Sequence, residues 1–382
     1  MALYLKYRPQ KLSELDSPGI RDKLINVLSS TYKPHALLFS GPKGTGKTSA
    51  ARIVAKVINC EQRTKNLEQK IEKRKGNKNV ILVSEAHPGS GKDSGQARMT
   101  VDVEPCNNCE SCVSITQGRN LDVLEIDAAS NRGIDEIRQL RENIKLAPLS
   151  APFKTYIIDE VHMLTSEAFN ALLKTLEEPP AHAVFILATT EPDKLPQTIL
   201  SRAVRFNFQK ATEEEVLHSL QRVVNGEKLK VEDEILKKIA EFSDGSFRDA
   251  TKLLEQALAQ NSLTVEKIDT LFGADSNSAE KFLLLLSEKN TKLALTLVLQ
   301  MAKAGADFRF FTAQLLNLLH QMLLSQHGIA EGAINKVLAG NLGIKEVIRL
   351  ISIFSKVYTD LKFSSSPAIP LEVAIVEWCE RE

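Results

Sequence analysis

The chain has 382 residues, 43% hydrophobic and 25% charged. That is a soluble globular composition with apolar surface for roughly two or three cores, and it excludes fibrous and disordered classes. Lys and Arg total 49 against 48 Asp and Glu, a net charge of +1, so any contact with nucleic acid must come from a local patch rather than from bulk charge. Only 18 glycines and 5% aromatic residues favour a helix-rich architecture over a sandwich or barrel.

Met1 to Glu14 has no apolar core of the kind a leader needs. The longest apolar runs, Ala183 to Ala188 and Phe282 to Leu286, fall far short of the ~20 residues that cross a bilayer. A cytoplasmic protein with no membrane segment is expected. Cys379 near the chain end is followed by charged residues, which excludes a prenylation box.

Up to about Phe208, short apolar strand runs alternate with amphipathic stretches, the signature of βαβ units around a parallel sheet. Strands are predicted at Ala36 to Ser40, Leu121 to Ile126, Thr155 to Ile158 and Ala183 to Thr189. The first runs directly into Gly41-Pro42-Lys43-Gly44-Thr45-Gly46-Lys47-Thr48, followed by a helical stretch from Ser49 to Val57. Strand, G-x-x-x-x-G-K-[ST] and helix in that order form a P-loop. Its backbone N–H groups curl round phosphates at a helix N-terminus, Lys47 neutralises β/γ charge, and the Thr48 hydroxyl can serve Mg²⁺. Gly89 to Lys92 imitates part of this motif, but Asp93 stands where a hydroxyl is needed, so the segment reads as a loop.

Cys60, Cys106, Cys109 and Cys112 provide the four thiolates that close a structural zinc site, with an iron–sulfur cluster as the rival reading. Between the first two lies an insertion, Glu61 to Pro105, with a charged run at Lys65 to Lys78 and one possible strand at Val80 to Val83. The third predicted strand ends in Asp159-Glu160. With a P-loop, these carboxylates read as the Mg²⁺ partner and as the residue that orients or deprotonates an attacking water, which implies nucleotide hydrolysis. Alone, an acidic pair at a strand end is as often a cap. Arg202 and Arg248 stand out by position, but residue type leaves them open to a plain surface or salt-bridge reading.

From Ala211 to about Leu271 the pattern is helical only. Thr212 with Glu215 forms a capping box, and Ser246 with Asp249 a variant of one. Beyond Asp275, helical spacing runs through Phe282 to Leu286, Leu293 to Met301, Phe310 to Leu324 and Val347 to Leu361, and a last helix is predicted to begin at Pro370. The domains expected are therefore 1–208, carrying a metal module at 60–112 with its insertion at 61–105, then 209–275 with three helices, and an all-α 276–382.

Several motifs together resemble the gamma/tau subunit family of the bacterial DNA polymerase III clamp loader. They are Tyr7-Arg8-Pro9, Gly41 to Thr48, the four cysteines, Glu125 to Ser130, Ile158 to Met163, Asn170 to Pro180, Leu187 to Thr190, Leu200 to Arg202 and Gly245 to Ala250. The resemblance implies an α/β AAA+ P-loop NTPase with a zinc module, a helical lid and a helical collar, using ATP, Mg²⁺ and Zn²⁺. It implies nucleotide contacts from Tyr7, Arg8, Gly41 to Ser49, Thr190 as sensor 1 and Arg248 as sensor 2. Arg202 would reach a neighbour's ATP across a subunit seam. Asn131 and Arg132 would follow DNA phosphates.

The implied partners are delta and delta-prime type subunits, further copies of the chain in a pentameric ring, the sliding clamp and primed DNA. The chain's length suggests the gamma rather than the tau form. Two other readings are a non-hydrolysing structural subunit and another AAA+ replication or recombination ATPase, such as a replication factor C small subunit, to which the four cysteines are foreign. The chain departs from the family at Ala203 after the arginine, at Leu15-Asp16-Ser17-Pro18 where a Val-Gly-Gln-like stretch is usual, and in the long cysteine spacer.

Overall fold

Strands that are apolar throughout must be covered on both faces, and the computed structural model shows how this is done. The structure describes residues 2–30, 34–64, 103–130, 142–260, 263–265, 267–268, 276–303, 305–329, 342–362, 364 and 366–380. The possible strand Val80 to Val83, most of the insertion, the Gly89 to Lys92 segment, Asn131 and Arg132 lie outside the described residues. The chain forms two compact units, one of residues 1–230 with 243–252 and one of 231–242 with 253–382.

Among the described residues the first unit contains one parallel sheet of five strands: β1 (Ala36–Ser40), β2 (Val123–Asp127), β3 (Lys154–Asp159), β4 (Ala183–Thr189) and β5 (Val204–Asn207). Their order is β2-β3-β4-β1-β5. Ser40 pairs with Thr189 and Asp127 with Asp159, so the strands end together along one edge.

Alternate residues of each strand enter different cores, as the two-residue period requires. Leu37, Phe39, Ile157 and Ile186 pack with Leu24 and Leu28 of α2 (Pro18–Ser29), which follows the single turn α1 (Leu3–Lys6), and with Ile53 and Val57 of α3 (Lys47–Asn59). Leu38, Tyr156, Ile158 and Phe185 pack with Phe169, Leu172 and Leu176 of a helix at Ser166–Glu177. Tyr156 and Phe185 stack with centroids 5.5 Å apart, and burying each such side chain contributes about 1.5–3 kcal/mol.

Three differences from the sequence reading have physical causes. The second strand starts at Val123 rather than Leu121. Just before it, the buried Asp122 carboxylate accepts N–H groups from Leu149, Ser150 and Ala151, which anchors a loop there, and Leu121 is exposed. β5 was not foreseen; it is a four-residue edge strand that buries only Phe206. The last helix begins at Ala368, so Pro370 sits inside its first turn, where no intrahelical N–H bond is lost.

The helices at Glu213–Glu227 and Phe247–Ala259 start as their caps indicate. Thr212 Oγ1 accepts the Glu215 N–H at 3.2 Å while Glu215 caps the Thr212 N–H at 3.0 Å. Ser246 Oγ accepts from the Asp249 N–H at 3.2 Å.

The second unit is helical throughout its described residues. Its core gathers Phe282, Phe311 and Phe354 edge to face at 5.3 and 6.0 Å, and the Trp378 indole N–H donates to the Leu286 carbonyl at 2.8 Å. No helix among the described residues is long and apolar enough to cross a membrane.

Candidate functional site

Between the end of β1 and the start of α3 the chain must turn sharply beside its neighbours, and glycine makes that possible. Gly41 (φ 145°) donates its N–H to the Thr189 carbonyl at 3.1 Å, and a Cβ there would lie 2.0 Å from the Phe208 carbonyl oxygen. A Cβ on Gly44 (φ 81°) would lie 1.9 Å from Ser246 Oγ. The loop is thus pressed between the exit of β5 and the cap of the helix that carries Arg248. Thr45 Oγ1 closes it by donating to the Pro42 carbonyl at 2.9 Å.

Lys47 is only 6% exposed and donates to the Gly41 and Pro42 carbonyls at 2.8 and 2.7 Å. Burial pulls its ammonium below the ordinary lysine range, with Glu160 and Asp159 acting in the opposite sense. A charge so desolvated, at the N-terminus of a helix, is matched to an anion.

The carboxylates come from the end of β3. Thr48 Oγ1 donates to Asp159 Oδ2 at 2.7 Å, which brings together a hydroxyl and a carboxylate of the kind that Mg²⁺ coordinates. Glu160 takes a left-handed backbone (φ 48°), a conformation that costs a non-glycine residue about 1–3 kcal/mol and gathers at functional sites. Its Oε2 accepts from Thr190 Oγ1 at 3.0 Å and from the Thr190 N–H at 3.3 Å. His162 Nδ1 lies 3.0 Å from Thr189 Oγ1 and 3.4 Å from Glu160 Oε2. β4 lies between β1 and β3 in the sheet, so Thr190 at its end stands beside the catalytic candidate.

Lys47, Thr48, Asp159 and Glu160 line one end of a cleft of about 310 Å³, while Thr190 and His162 reach Glu160 from outside its lining. The other end is walled by Tyr7, Arg8, Pro9, Leu15, Asp16 and Ser17, and closed by Arg222, Val223, Phe247 and Arg248. A polar, cationic end and a partly apolar end in one cleft suit a triphosphate and a base. The Arg8 guanidinium is pressed down by burial and then by Arg52, with Arg248 adding to the effect. Arg248 also lies over the Tyr4 ring at 5.1 Å. Positive charge is therefore crowded on this wall.

The family model of AAA proteins, ATPases associated with various cellular activities, matches residues 37–104. A model described as DNA polymerase III, delta subunit, matches 93–212. The DNA polymerase III clamp loader subunit ATPase lid domain matches 215–262, and domain III of DNA polymerase III subunits gamma and tau matches 263–381. DNA polymerase III subunit gamma of Buchnera aphidicola subsp. Schizaphis graminum is 35% identical over 84% of this chain and 79% of its own length. The chain belongs to the DNA polymerase III gamma/tau family.

Subunit tau of Bacillus subtilis is 39% identical over 99% of this chain and 63% of its own length, and subunit tau of Escherichia coli is 34% identical over 91% and 48%. The chain spans less than two thirds of these tau relatives. As a member of the family it has an AAA domain, which implies a nucleotide and Mg²⁺, with a helical lid and a helical domain III.

The four cysteine sulfurs lie within 4.8 Å of one another, with Cys106 and Cys112 Sγ 4.0 Å apart. Tetrahedral Zn–S bonds of about 2.3 Å bring sulfurs to about 3.8 Å, so the set fits such an ion. Cys60 ends α3, Cys109 caps α4 (Glu110–Thr116), and Cys112 lies inside α4. Burial pushes the Cys112 and Cys109 thiols up. At Cys106 burial is outweighed by the N–H groups of Asn108 and Cys109, which bring the thiol down to about 7. Buried thiols that a cation must ionise are what a structural metal site offers.

Arg202, like Thr190, is a sequence candidate that does not line the cleft. It donates to the Thr198 carbonyl and to Glu177, each at 2.9 Å, on the exposed surface. One element escaped the sequence reading. The Asp16 side chain, 3% exposed, accepts from Arg222 at 2.7 Å and meets His218 Nδ1 at 2.7 Å. Ser17-Pro18 signals a helix start, but nothing local to Asp16 announces partners some 200 residues away.

Proposed function

We propose that the chain is an ATP-dependent motor subunit of a clamp loader, which places a sliding clamp on primed DNA together with delta and delta-prime type subunits and further copies of itself in a pentameric ring. The observation that carries this reading is the meeting of Lys47, Thr48, Asp159 and Glu160 at one end of a single cleft, with Thr190 bonded to Glu160, in a chain of the gamma/tau family.

In this reading the N–H groups of Gly41 to Ser49 cradle the phosphates, and Lys47 leaves its loop carbonyls to meet the β/γ oxygens. Thr48 and Asp159 hold Mg²⁺, which when bound offsets phosphate charge. Glu160, its free oxygen aimed by the hold of Thr190 on the other, orients the attacking water and receives its proton. Arg248 meets phosphate charge from the lid side, and Tyr7 and Arg8 flank the base and sugar.

Arg202 serves a neighbour's nucleotide. Its exposed position, its absence from the cleft of its own chain, and an ion pair with the surface residue Glu177 support that role. Such a bond contributes little and is exchanged readily. Zn²⁺ is held by the four cysteines, DNA phosphates are met by Asn131 and Arg132, and the protein is cytoplasmic. The division into 1–208, 209–275 and 276–382 assigns motor, lid and collar.

The test is clamp loading itself. The chain is combined with its partner subunits, and retention of labelled clamp on primed circular DNA is followed. Loading that requires ATP and vanishes with Lys47→Ala supports the reading. Loading that proceeds without ATP, or with the variant, refutes it.

A further inference from the structure

The cleft wall opposite the phosphate loop is a strap, residues 7–17, with almost no regular structure beyond one 3₁₀ turn at Leu12–Glu14. Such a segment keeps its shape only through the groups that hold it, and several of these come from the cysteine module. Glu104, two residues before Cys106, accepts the Leu12 N–H at 2.8 Å and the Ser13 N–H at 2.7 Å with its two oxygens. Asn107, between Cys106 and Cys109, donates to the Gln10 carbonyl at 3.3 Å and accepts from Lys56 at 3.1 Å. Lys56, 1% exposed, also donates to the Gln10 side chain, whose amide in turn donates to the Arg8 carbonyl at 2.9 Å.

Asn107 reaches the strap because of the cysteines. Its backbone is left-handed (φ 59°) in a turn where Cys106 Sγ accepts the N–H groups of Asn108 and Cys109 at 3.4 and 3.3 Å.

We propose that the four-cysteine module is a positioning device for the nucleotide cleft: Asn107 and Glu104, set by the cysteine turn, fix the strap that carries Tyr7, Arg8 and Asp16, so that metal and nucleotide binding are coupled. The proposal rests on the metal and nucleotide readings above and adds the link between them. Losing the metal frees the turn, the strap loses its holds from Asn107 and Glu104, and Arg8 and Tyr7 must then be ordered at the expense of binding. By linkage, bound nucleotide must tighten metal binding by the same factor. Arg222, which holds the strap at the Glu14 carbonyl and at Asp16, does not belong to the module, so the coupling is partial.

The experiment uses the full chain with Asn107→Gly and Glu104→Ala together. Glycine accepts the left-handed backbone and all four cysteines remain, so metal retention is expected and is checked by elemental analysis. Affinity for a fluorescent ATP analogue is expected to fall about tenfold, roughly the effect of losing one to two net hydrogen bonds. Metal affinity, read by equilibrium competition with a chromogenic chelator, should be raised by ATP in the unaltered chain and far less in the variant. If the double variant sheds its metal, Asn107→Gly alone is put through the same two measurements, with weakened nucleotide binding expected.

A metal-loaded variant that binds the analogue as tightly as the unaltered chain overturns the coupling and leaves both sites standing. A metal affinity of the unaltered chain that is indifferent to ATP overturns it equally. An unaltered chain that takes up no metal removes the metal reading and the coupling together.

Discussion

At the phosphate end of the cleft, seven consecutive residues from Lys43 to Ser49 form the wall, and the shape of their loop is imposed by backbone geometry at Gly41 and Gly44 against Phe208 and Ser246. At the other end the wall is a strap whose position depends on Glu104, Asn107, Arg222 and other residues far away in the chain. One end is specified locally and leaves little to adjust. The other is specified by tertiary contacts, so its shape depends on partners distant in the chain. Asp16 illustrates this: a buried carboxylate is tolerable only when paired, and Arg222 and His218 supply the pair.

The contrast can be broken by substitution. The largest effect is expected from Lys47→Ala, which removes charge-assisted bonds worth about 1.5–3 kcal/mol each; affinity for ATP measured by calorimetry should fall on the order of 10²-fold or more. Glu160→Gln should keep that affinity and cut single-turnover hydrolysis by about 10²–10⁴-fold, the range of a lost general base. Equal loss of binding would mean that Glu160 holds nucleotide rather than water.

Arg222→Ala tests the far wall. Its guanidinium is partly exposed and His218 still contacts Asp16, so the cost is discounted to about 1–2 kcal/mol. It should appear as a modest loss of affinity and a lower unfolding temperature, with the turnover of bound ATP little changed.

The smallest effect concerns protons. Burial lowers the Lys47 pKa, and bound phosphate favours its charged form. Binding should therefore take up a fraction of a proton at alkaline pH, and affinity should fall as pH rises through the lowered value. Calorimetry in buffers of different ionisation enthalpy measures that uptake, and the alkaline uptake should be absent from Lys47→Ala.

The same contrast governs what could be read from the chain before its fold was seen. Gly41 to Thr48, the strand ending in Asp159-Glu160 and the capping box at Thr212 are local patterns whose physics is complete within a few residues, and each stands where it was placed. β5 was missed because a four-residue edge strand burying one side chain leaves almost no periodic signal. The start of β2 was misplaced because the carboxylate of Asp122 serves a loop some 27 residues away. Asp16 with Arg222, and Glu104 with Leu12, join residues whose spacing carries no local pattern. The role of Arg202 was open in the sequence for a related reason, since the group it would serve belongs to another chain.

The most direct measurement is steady-state ATP turnover by the chain alone and by the chain assembled with delta and delta-prime type subunits on primed DNA, each with and without Arg202→Ala. A shared catalytic seam gives slow turnover by the isolated chain, faster turnover in the assembly by roughly 10³-fold, and loss of that gain in the variant while ATP stays bound. An isolated chain that hydrolyses ATP at the assembled rate, or a variant that keeps the full gain, contradicts it.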